Sequence, residues 1–522
     1  MRARSLKVWL AALAAGAGLS AALLSAPESA AQPPPSDPPP GQPIASTPAP
    51  AAAPADDPAP PKGVEVLTRG PVHEAFATPT AEPLATPPIA KAPPKALEEM
   101  PPEEKPEGNA LWIGGYWAWD DERANYLWVS GVWRVPPPNK HWVAGYWRDD
   151  SGKWQWVPGF WAEAQQEAEK HDVTYLPKPP DPPETAAPPA APNVDSFYVP
   201  GQYVWRGDGY AWRAGYWGRV QPGYVWVAAH FRWSPYGYVY INGYWDIAIA
   251  NRGVMYAPVV VDPDVVGVEY VYTPTYVVHH TIVMDAFFVR PCYCHYYFGD
   301  YYGPAYHDCG YETVVVYGRS HYDSVIVYER WDHRDDPRWE SVQIDICLAR
   351  DGGREPRPPR TLVEFNRYGR ERGVVVGPSA RVAAMHGTRM VRMDAAERAH
   401  VHEHAQAVRQ VAAERRAAEA KMPVGAPREP RVASMAMPRG YTAPARPAAA
   451  GAGAHPSQTL TPNMSAQPGH GLTTAPHAPG APNGQAAPNM TPGKPQPTKP
   501  PAKPPARPQP KQPPGKEPPG NH

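Results

Sequence analysis

The chain lacks the short motifs that announce most catalytic sites. It has no Gly-x-Ser-x-Gly turn for an exposed nucleophile, no Gly-x-x-x-x-Gly-Lys phosphate loop and no His-Glu-x-x-His zinc helix. Cysteine is scarce, with 4 in 522 residues, which excludes a small disulfide-dense scaffold. Neither charge sign dominates: 50 Lys and Arg against 51 Asp and Glu leave a formal net charge of −1. That balance excludes a uniformly basic nucleic-acid binder. Beyond the N-terminus no apolar run is long enough to suggest a transmembrane helix.

The N-terminus itself reads as a secretory signal, residues 1–31. Arg2, Arg4 and Lys7 precede an apolar run from Val8 to Leu24, and Ser29-Ala30-Ala31 offers the small residues of a cleavage site. No cysteine follows the run, so a lipoprotein anchor is not expected. Proline is abundant, at 75 residues, and concentrates in 32–107 and 423–522. Both segments are expected to be disordered, having too little apolar surface to offset the entropy of ordering. The second ends in a spaced cationic stretch, Lys494, Lys499, Lys503, Arg507, Lys511 and Lys516, against the single acid Glu517. Such a tail suits solubility or weak attraction to anionic polymers.

Tryptophan is the opposite of scarce: 16 of the 19 lie between 112 and 245, in the pattern Trp-x-x-Gly-x-Trp. The units are Trp112/Gly115/Trp117, Trp128/Gly131/Trp133, Trp142/Gly145/Trp147 and Trp156/Gly159/Trp161. After a gap come Tyr198/Gly201/Tyr203, Trp212/Gly215/Trp217, Trp226/Ala229/Phe231 and Tyr240/Gly243/Trp245. Aromatics at period two, interleaved with valine, indicate strands. Turn formers such as Asp149-Asp150-Ser151-Gly152 and Ser234-Pro235-Tyr236-Gly237 separate them. The expected architecture is an all-β repeat core of two four-stranded antiparallel meanders, 108–161 and 196–246, joined by a proline-rich linker at 162–195. Each glycine either hosts a bulge or lets a neighbouring ring lie on bare backbone.

These units resemble the WXXGXW (YXWGXW) repeats of exported, mostly uncharacterised bacterial proteins, a resemblance that covers about 110–245. The family implies no established activity. From the residues alone, the tryptophans form either a thin core or a face of exposed rings. Exposed indoles would stack on sugars, with Arg148, Arg206, Arg213 and Arg232 available to hydroxyls or anions. The candidate binding residues are therefore Trp112, Trp117, Trp128, Trp133, Trp142, Trp147, Trp156, Trp161, Trp212, Trp217, Trp226 and Trp245, with envelope glycan or another anionic envelope polymer as partner.

Residues 247–350 are rich in Tyr and Val and are expected to form further strands, Val314-Val315-Val316 and Val325-Ile326-Val327 among them. Cys292, Cys294, Cys309 and Cys347 are expected to make two disulfides in an oxidising compartment. The rival is a metal site from Cys292, Cys294, His295, His307 and Cys309, disfavoured because Cys-x-Cys is not the usual zinc spacing. Residues 351–393 form an irregular basic segment. Asp394 with Glu397 then opens a helix over 394–422, stopped by Pro423, with a thin apolar stripe of Val401, Ala405, Val408 and Ala412.

The sequence thus points to an exported cell-envelope protein without catalysis, cofactor or specific nucleic-acid partner. It would be a structural or glycan-binding module. The alternatives are a pure scaffold with all aromatics in the core, and a metal-binding protein centred on Cys292 to Cys309.

Overall fold

The computed structural model describes residues 59–164, 170–183, 187–267, 269–279, 286–364, 376–379 and 389–436. The expected signal segment, residues 32–58 and the cationic tail from 437 onward lie outside the described residues.

Aromatic repeats fold in pairs, not in fours. Each glycine interrupts the strand of its own unit, so a unit becomes two short strands, and two consecutive units fold back on one another. In the first hairpin Leu111–Ile113 pairs with Val132–Arg134, and Tyr116–Asp120 pairs with Asn125–Val129. The same arrangement recurs with Lys140–Val143 on Phe160–Glu163 and Tyr146–Asp150 on Lys153–Val157. It recurs again in the third hairpin, 196–219, and the fourth, 224–247. The expected four-stranded meanders are therefore corrected to four kinked hairpins.

Register places equivalent aromatics opposite each other. Trp112 faces Trp133 with ring centroids 5.3 Å apart, and Trp117 faces Trp128 at 5.2 Å, both edge-to-face. Corresponding pairs in the other hairpins lie at 5.3 and 5.5 Å, 5.3 and 5.1 Å, and 5.3 and 5.2 Å. Cross-strand aromatic pairs of this kind add about 0.5–1.5 kcal/mol beyond burial. At the second hairpin's tip Ser151 and Gly152 take positive φ, and Asp149 accepts from the Gly152 N–H at 2.8 Å.

Elements distant in sequence extend the hairpins. The tip half of the first becomes a four-stranded sheet by adding Val259–Val261 and Val64–Val66. Its base half becomes five-stranded through Gly253–Tyr256, Tyr276–Val278 and Val376–Pro378. The fourth hairpin gains Lys170–Leu176 and Arg431–Ala436.

Two expectations of disorder, and the reading of 162–195 as a linker, are thereby corrected in part. Residues 59–107 contain the strands Val64–Val66, Gly70–Pro71, Glu98–Glu99 and Glu104–Pro106, and bury Val72, Ala75, Phe76 and Ile89. Extended proline-rich backbone needs little reordering to lie along a sheet edge, and the apolar residues between the prolines supply the contacts. The linker 162–195 contributes the central strand Lys170–Leu176, and the segment after Pro423 contributes Arg431–Ala436. Part of the irregular segment 351–393 is likewise strand, at Val376–Pro378 and Met390–Arg392.

The valine-rich runs divide. Val259–Val261 and Tyr276–Val278 are strands as expected, but Val314–Tyr317 and Ser324–Asp332 are helices. Asp323 caps the second by accepting from the Val325 and Ile326 N–H groups at 3.0 and 3.2 Å, and packing of Val325 and Ile326 outweighs their strand preference. Trp339–Asp351 is also helical. The expected C-terminal helix is present as Ala395–Glu419, and Asp394 accepts from the Glu397 N–H at 2.8 Å. Ala405, Val408 and Val411 are buried against the β core.

Two buried ionic clusters lock these parts together. Asp246 of the fourth hairpin takes Arg134 of the first at 2.5 and 2.7 Å and Arg252 at 3.0 Å. The two arginines also donate to the Ala75 and Phe76 carbonyls at 2.8 Å. At the helix end Arg415 pairs with Glu419 at 2.6 Å, and Tyr146 and Tyr175 both donate to Glu419.

Candidate functional site

Each hairpin kink creates a notch. The two glycines of a hairpin sit side by side, and a methyl built on Gly159 would stand 2.9 Å from the Gly145 amide nitrogen. Rings from the partner unit roof the notch: a methyl on Gly131 would meet the Trp112 ring at 2.5 Å, and one on Gly159 the Trp142 ring at 2.5 Å. The glycines therefore serve the second of the two expected uses, a ring on bare backbone, and the missing side chain also leaves their N–H groups exposed to a ligand.

In the first hairpin that ligand is Glu99. Its carboxylate accepts from the Gly115 N–H at 2.6 Å, the Gly131 N–H at 3.0 Å and the Trp128 indole N–H at 3.1 Å. Burial pushes the Glu99 pKa up, while the three donors and the nearby Arg409 pull it back. In the second hairpin Glu74 takes the same place. It accepts from the Trp156 indole N–H at 2.8 Å and the Gly159 N–H at 3.1 Å. Both glutamates come from 59–107, outside the repeats, and both are 1 % exposed.

A cavity of about 210 Å³ lies between these hairpins and the long helix. Trp117, Trp128, Trp142, Trp147 and Trp156 line it, with His73, Glu74 and Tyr116 on one side and Arg409 on the other. Its polar groups are largely engaged by the fold. His73 contacts the Gly114 carbonyl through Nε2 at 3.1 Å and accepts from the Ala75 N–H through Nδ1 at 3.1 Å. Burial lowers the His73 pKa to about 4, so the ring is neutral at pH 7. The Tyr116 hydroxyl lies 3.0 Å from His295 Nε2, which is 3.5 Å from Glu74.

The expected aromatic binding face is corrected for most of its members. Trp112, Trp117, Trp128, Trp133, Trp142, Trp147, Trp156, Trp161 and Trp226 are buried, none more than 9 % exposed. They are packed into the core rather than laid out as an exposed face. Trp212, Trp217 and Trp245 are half-buried. Of the arginines named from sequence, Arg232 is buried and donates to the Pro79 carbonyl at 3.0 Å, and Arg148 pairs with Asp150 at 3.3 Å. Arg206 and Arg213 make no ion pair among the described residues.

The two expected disulfides are not formed: Cys292, Cys294, Cys309 and Cys347 are present as thiols. Packing holds two of the four apart. Cys294 lies against Arg232 at 2.7 Å, whereas Cys347 sits under Tyr302 in another cluster. The alternative metal ligands do not converge either. His295 turns to the Tyr293 carbonyl at 2.6 Å and His307 to Asp351 at 2.8 Å. Among the described residues no group of three or more His, Cys, Asp or Glu is placed to hold a metal ion.

Glu74 and Glu99 were missed from sequence because each is one acid among many, and their partners lie 16 to 85 residues away. A local hint exists for Glu74, which sits in the apolar-flanked run Val72-His73-Glu74-Ala75-Phe76.

Comparison with curated proteins and with solved structures finds no match. A family model does match, twice, at residues 111–134 and 197–217. Each matched stretch is one two-unit hairpin, the first and the third, so the structural unit of the repeat is the hairpin. The chain carries the WXXGXW repeat.

Proposed function

We propose that the protein is an exported, non-catalytic scaffold of the cell envelope whose contact face is the third hairpin. The observation that carries this reading is the contrast between hairpins. The first two bury all eight tryptophans of their units, whereas Tyr203, Trp205, Tyr210, Trp212 and Trp217 of the third keep half-exposed rings. Arg206, Arg213 and Arg219 stand among those rings with one acid, Asp208, between them. Half-exposed aromatics interleaved with arginine are the composition of a contact surface. Export rests on the signal-like N-terminus. The absence of catalysis is favoured because His73, Glu74 and Tyr116, which line the cavity, are bonded into the fold.

Retention of the purified full chain on washed envelope material tests the reading. The double variant Trp205→Ala/Trp217→Ala, with its melting temperature checked, is expected to be retained at least tenfold less. Unchanged retention of that folded variant would reject the third hairpin as the contact face. It would leave the purely structural reading, with every aromatic serving the core.

A further inference from the structure

The filled notches of the first two hairpins define what a third should hold. In the third hairpin the same elements recur: Gly201 and Gly215 at the kink, and Trp212 in the position of Trp128 and Trp156. A methyl on Gly215 would stand 3.1 Å from the Gly201 amide nitrogen, against 2.9 Å for the Gly159 and Gly145 pair, with the Tyr198 ring and hydroxyl over Gly215 where the Trp142 ring lies over Gly159. The Trp212 ring lies over Gly201 at 2.4 Å from a methyl built there, as the Trp156 ring lies over Gly145 at 2.6 Å. The difference is the acceptor. Among the described residues none reaches the Gly201 or Gly215 N–H, or the Trp212 indole N–H. Both glycines are half-buried, as is Gly145 of the second hairpin, whereas Gly115, Gly131 and Gly159 are buried.

The fourth hairpin has gone the other way. Ala229 replaces one glycine, and Tyr240 stands where Trp128 and Trp156 supply the indole N–H, so that donor is missing. Among the four hairpins, the third therefore has the complete donor set without a carboxylate of the described residues on it.

We propose that this notch binds a glutamyl side chain of a partner polypeptide. The occupant's chemistry follows from the two filled notches. Each takes a carboxylate on a two-methylene arm, delivered from a segment lying outside the repeats. The donors (two backbone N–H groups and an indole N–H) are all neutral, so they favour a carboxylate without requiring a counter-cation in the notch. The positive field comes from the rim. Arg206 and Arg213 are unpaired among the described residues, and Arg213 rests on the Tyr216 ring at 4.0 Å. An acidic segment would be drawn to that rim and seated by the notch.

This proposal rests on the third hairpin being the contact face and adds what it recognises. The test uses the full chain with ¹⁵N-labelled indoles. The probe is a synthetic peptide of residues 95–103, which carries Glu99 and its neighbours, beside the same peptide with Glu99→Gln. The Trp212 indole resonance is expected to move with the glutamate peptide, and at least tenfold more of the glutamine peptide should be needed. Trp212→Phe, which keeps a ring but no N–H, is expected to lose at least tenfold in affinity with the fold intact by melting temperature. Equal response to both peptides, unchanged binding by Trp212→Phe, or no shift at millimolar peptide would each overturn the proposal. So would a response to oligogalacturonate alone, which would assign the notch to an acidic glycan. Envelope retention that needs Trp205 and Trp217 but ignores Trp212→Phe would sink the notch while leaving the contact face standing.

Discussion

Glu99 joins three donors that have no other acceptor among the described residues, and it does so while almost fully buried. Glu99→Ala strands the Gly115, Gly131 and Trp128 N–H groups, at about 1–3 kcal/mol for each group that water cannot reach. The expected loss is on the order of 3 kcal/mol in urea unfolding, and Glu99→Gln should lose less because its carbonyl oxygen still accepts. Gly131→Ala acts on the same notch from the opposite side. Its methyl would meet the Trp112 ring at 2.5 Å and the Ile113 carbonyl at 2.8 Å, so a loss of roughly 2–3 kcal/mol is expected from overpacking. An unchanged unfolding midpoint in Gly131→Ala would show that the ring does not lie on the glycine. At this scale the sequence was half legible. The glycine spacing exposed the notch, but nothing local marks Glu99 against its neighbour Glu98, because the distinction is made by partners elsewhere in the chain.

Elements were legible where their signals are local. The long helix announces itself through Asp394 and Glu397, and its start was placed to the residue. Hairpin pairing was not placed, because period-two aromatics fit a meander and a folded-back pair equally well. The glycine kink decides between them, and its geometry is three-dimensional. Likewise Val325 and Ile326 read as strand until Asp323 caps them and the core receives them. The helix also carries a commitment that its thin apolar stripe concealed. Arg415 and Glu419, four residues apart and ordinary on a surface, are buried as a pair because Tyr146, Tyr175 and the Pro158 carbonyl meet them. Removing one partner leaves a buried charge alone. Glu419→Ala is thus expected to lower stability by roughly 3–5 kcal/mol, read as a fall in the denaturant midpoint.

Across the whole molecule, acid sensitivity should follow from histidine burial. The His73 pKa falls from an ordinary 6.5 to about 4 in the fold. A depressed folded value means its contribution is complete above about pH 6.5 and is lost as pH falls toward 4. Between pH 6.5 and pH 5 the loss is about 2 kcal/mol, at 1.36 kcal/mol for each pH unit. Glu329 works in the opposite sense. Burial raises its pKa to about 7, so its contribution is present below the ordinary carboxylate range and fades as pH rises through 7. Thermal melts against pH should show both arms, with His73→Asn shallowing the acidic one by its own share, since burial also depresses His141 and His230. An acid arm of unchanged depth in that variant would show that His73 contributes nothing to it. The ordering of 59–107 belongs to this scale as well. Proline content describes what a segment does alone, and Val64 faces Val261 while Gly70 faces Phe298 across the sheets. Contacts at such separation leave no local trace.

The strand Lys170–Leu176 lies between Gly237–Ile241 and Arg431–Ala436, and six of its residues pair with the latter. A ribosome makes that final strand some 260 residues after the one it must join. Until then the earlier strand has an open edge, an invitation to wrong pairing with any other extended chain. Chain emergence therefore sets a clock on this fold. A growing chain must be kept apart from its neighbours until residue 436 arrives, and a truncation just short of Arg431 would leave that edge open for the life of the molecule.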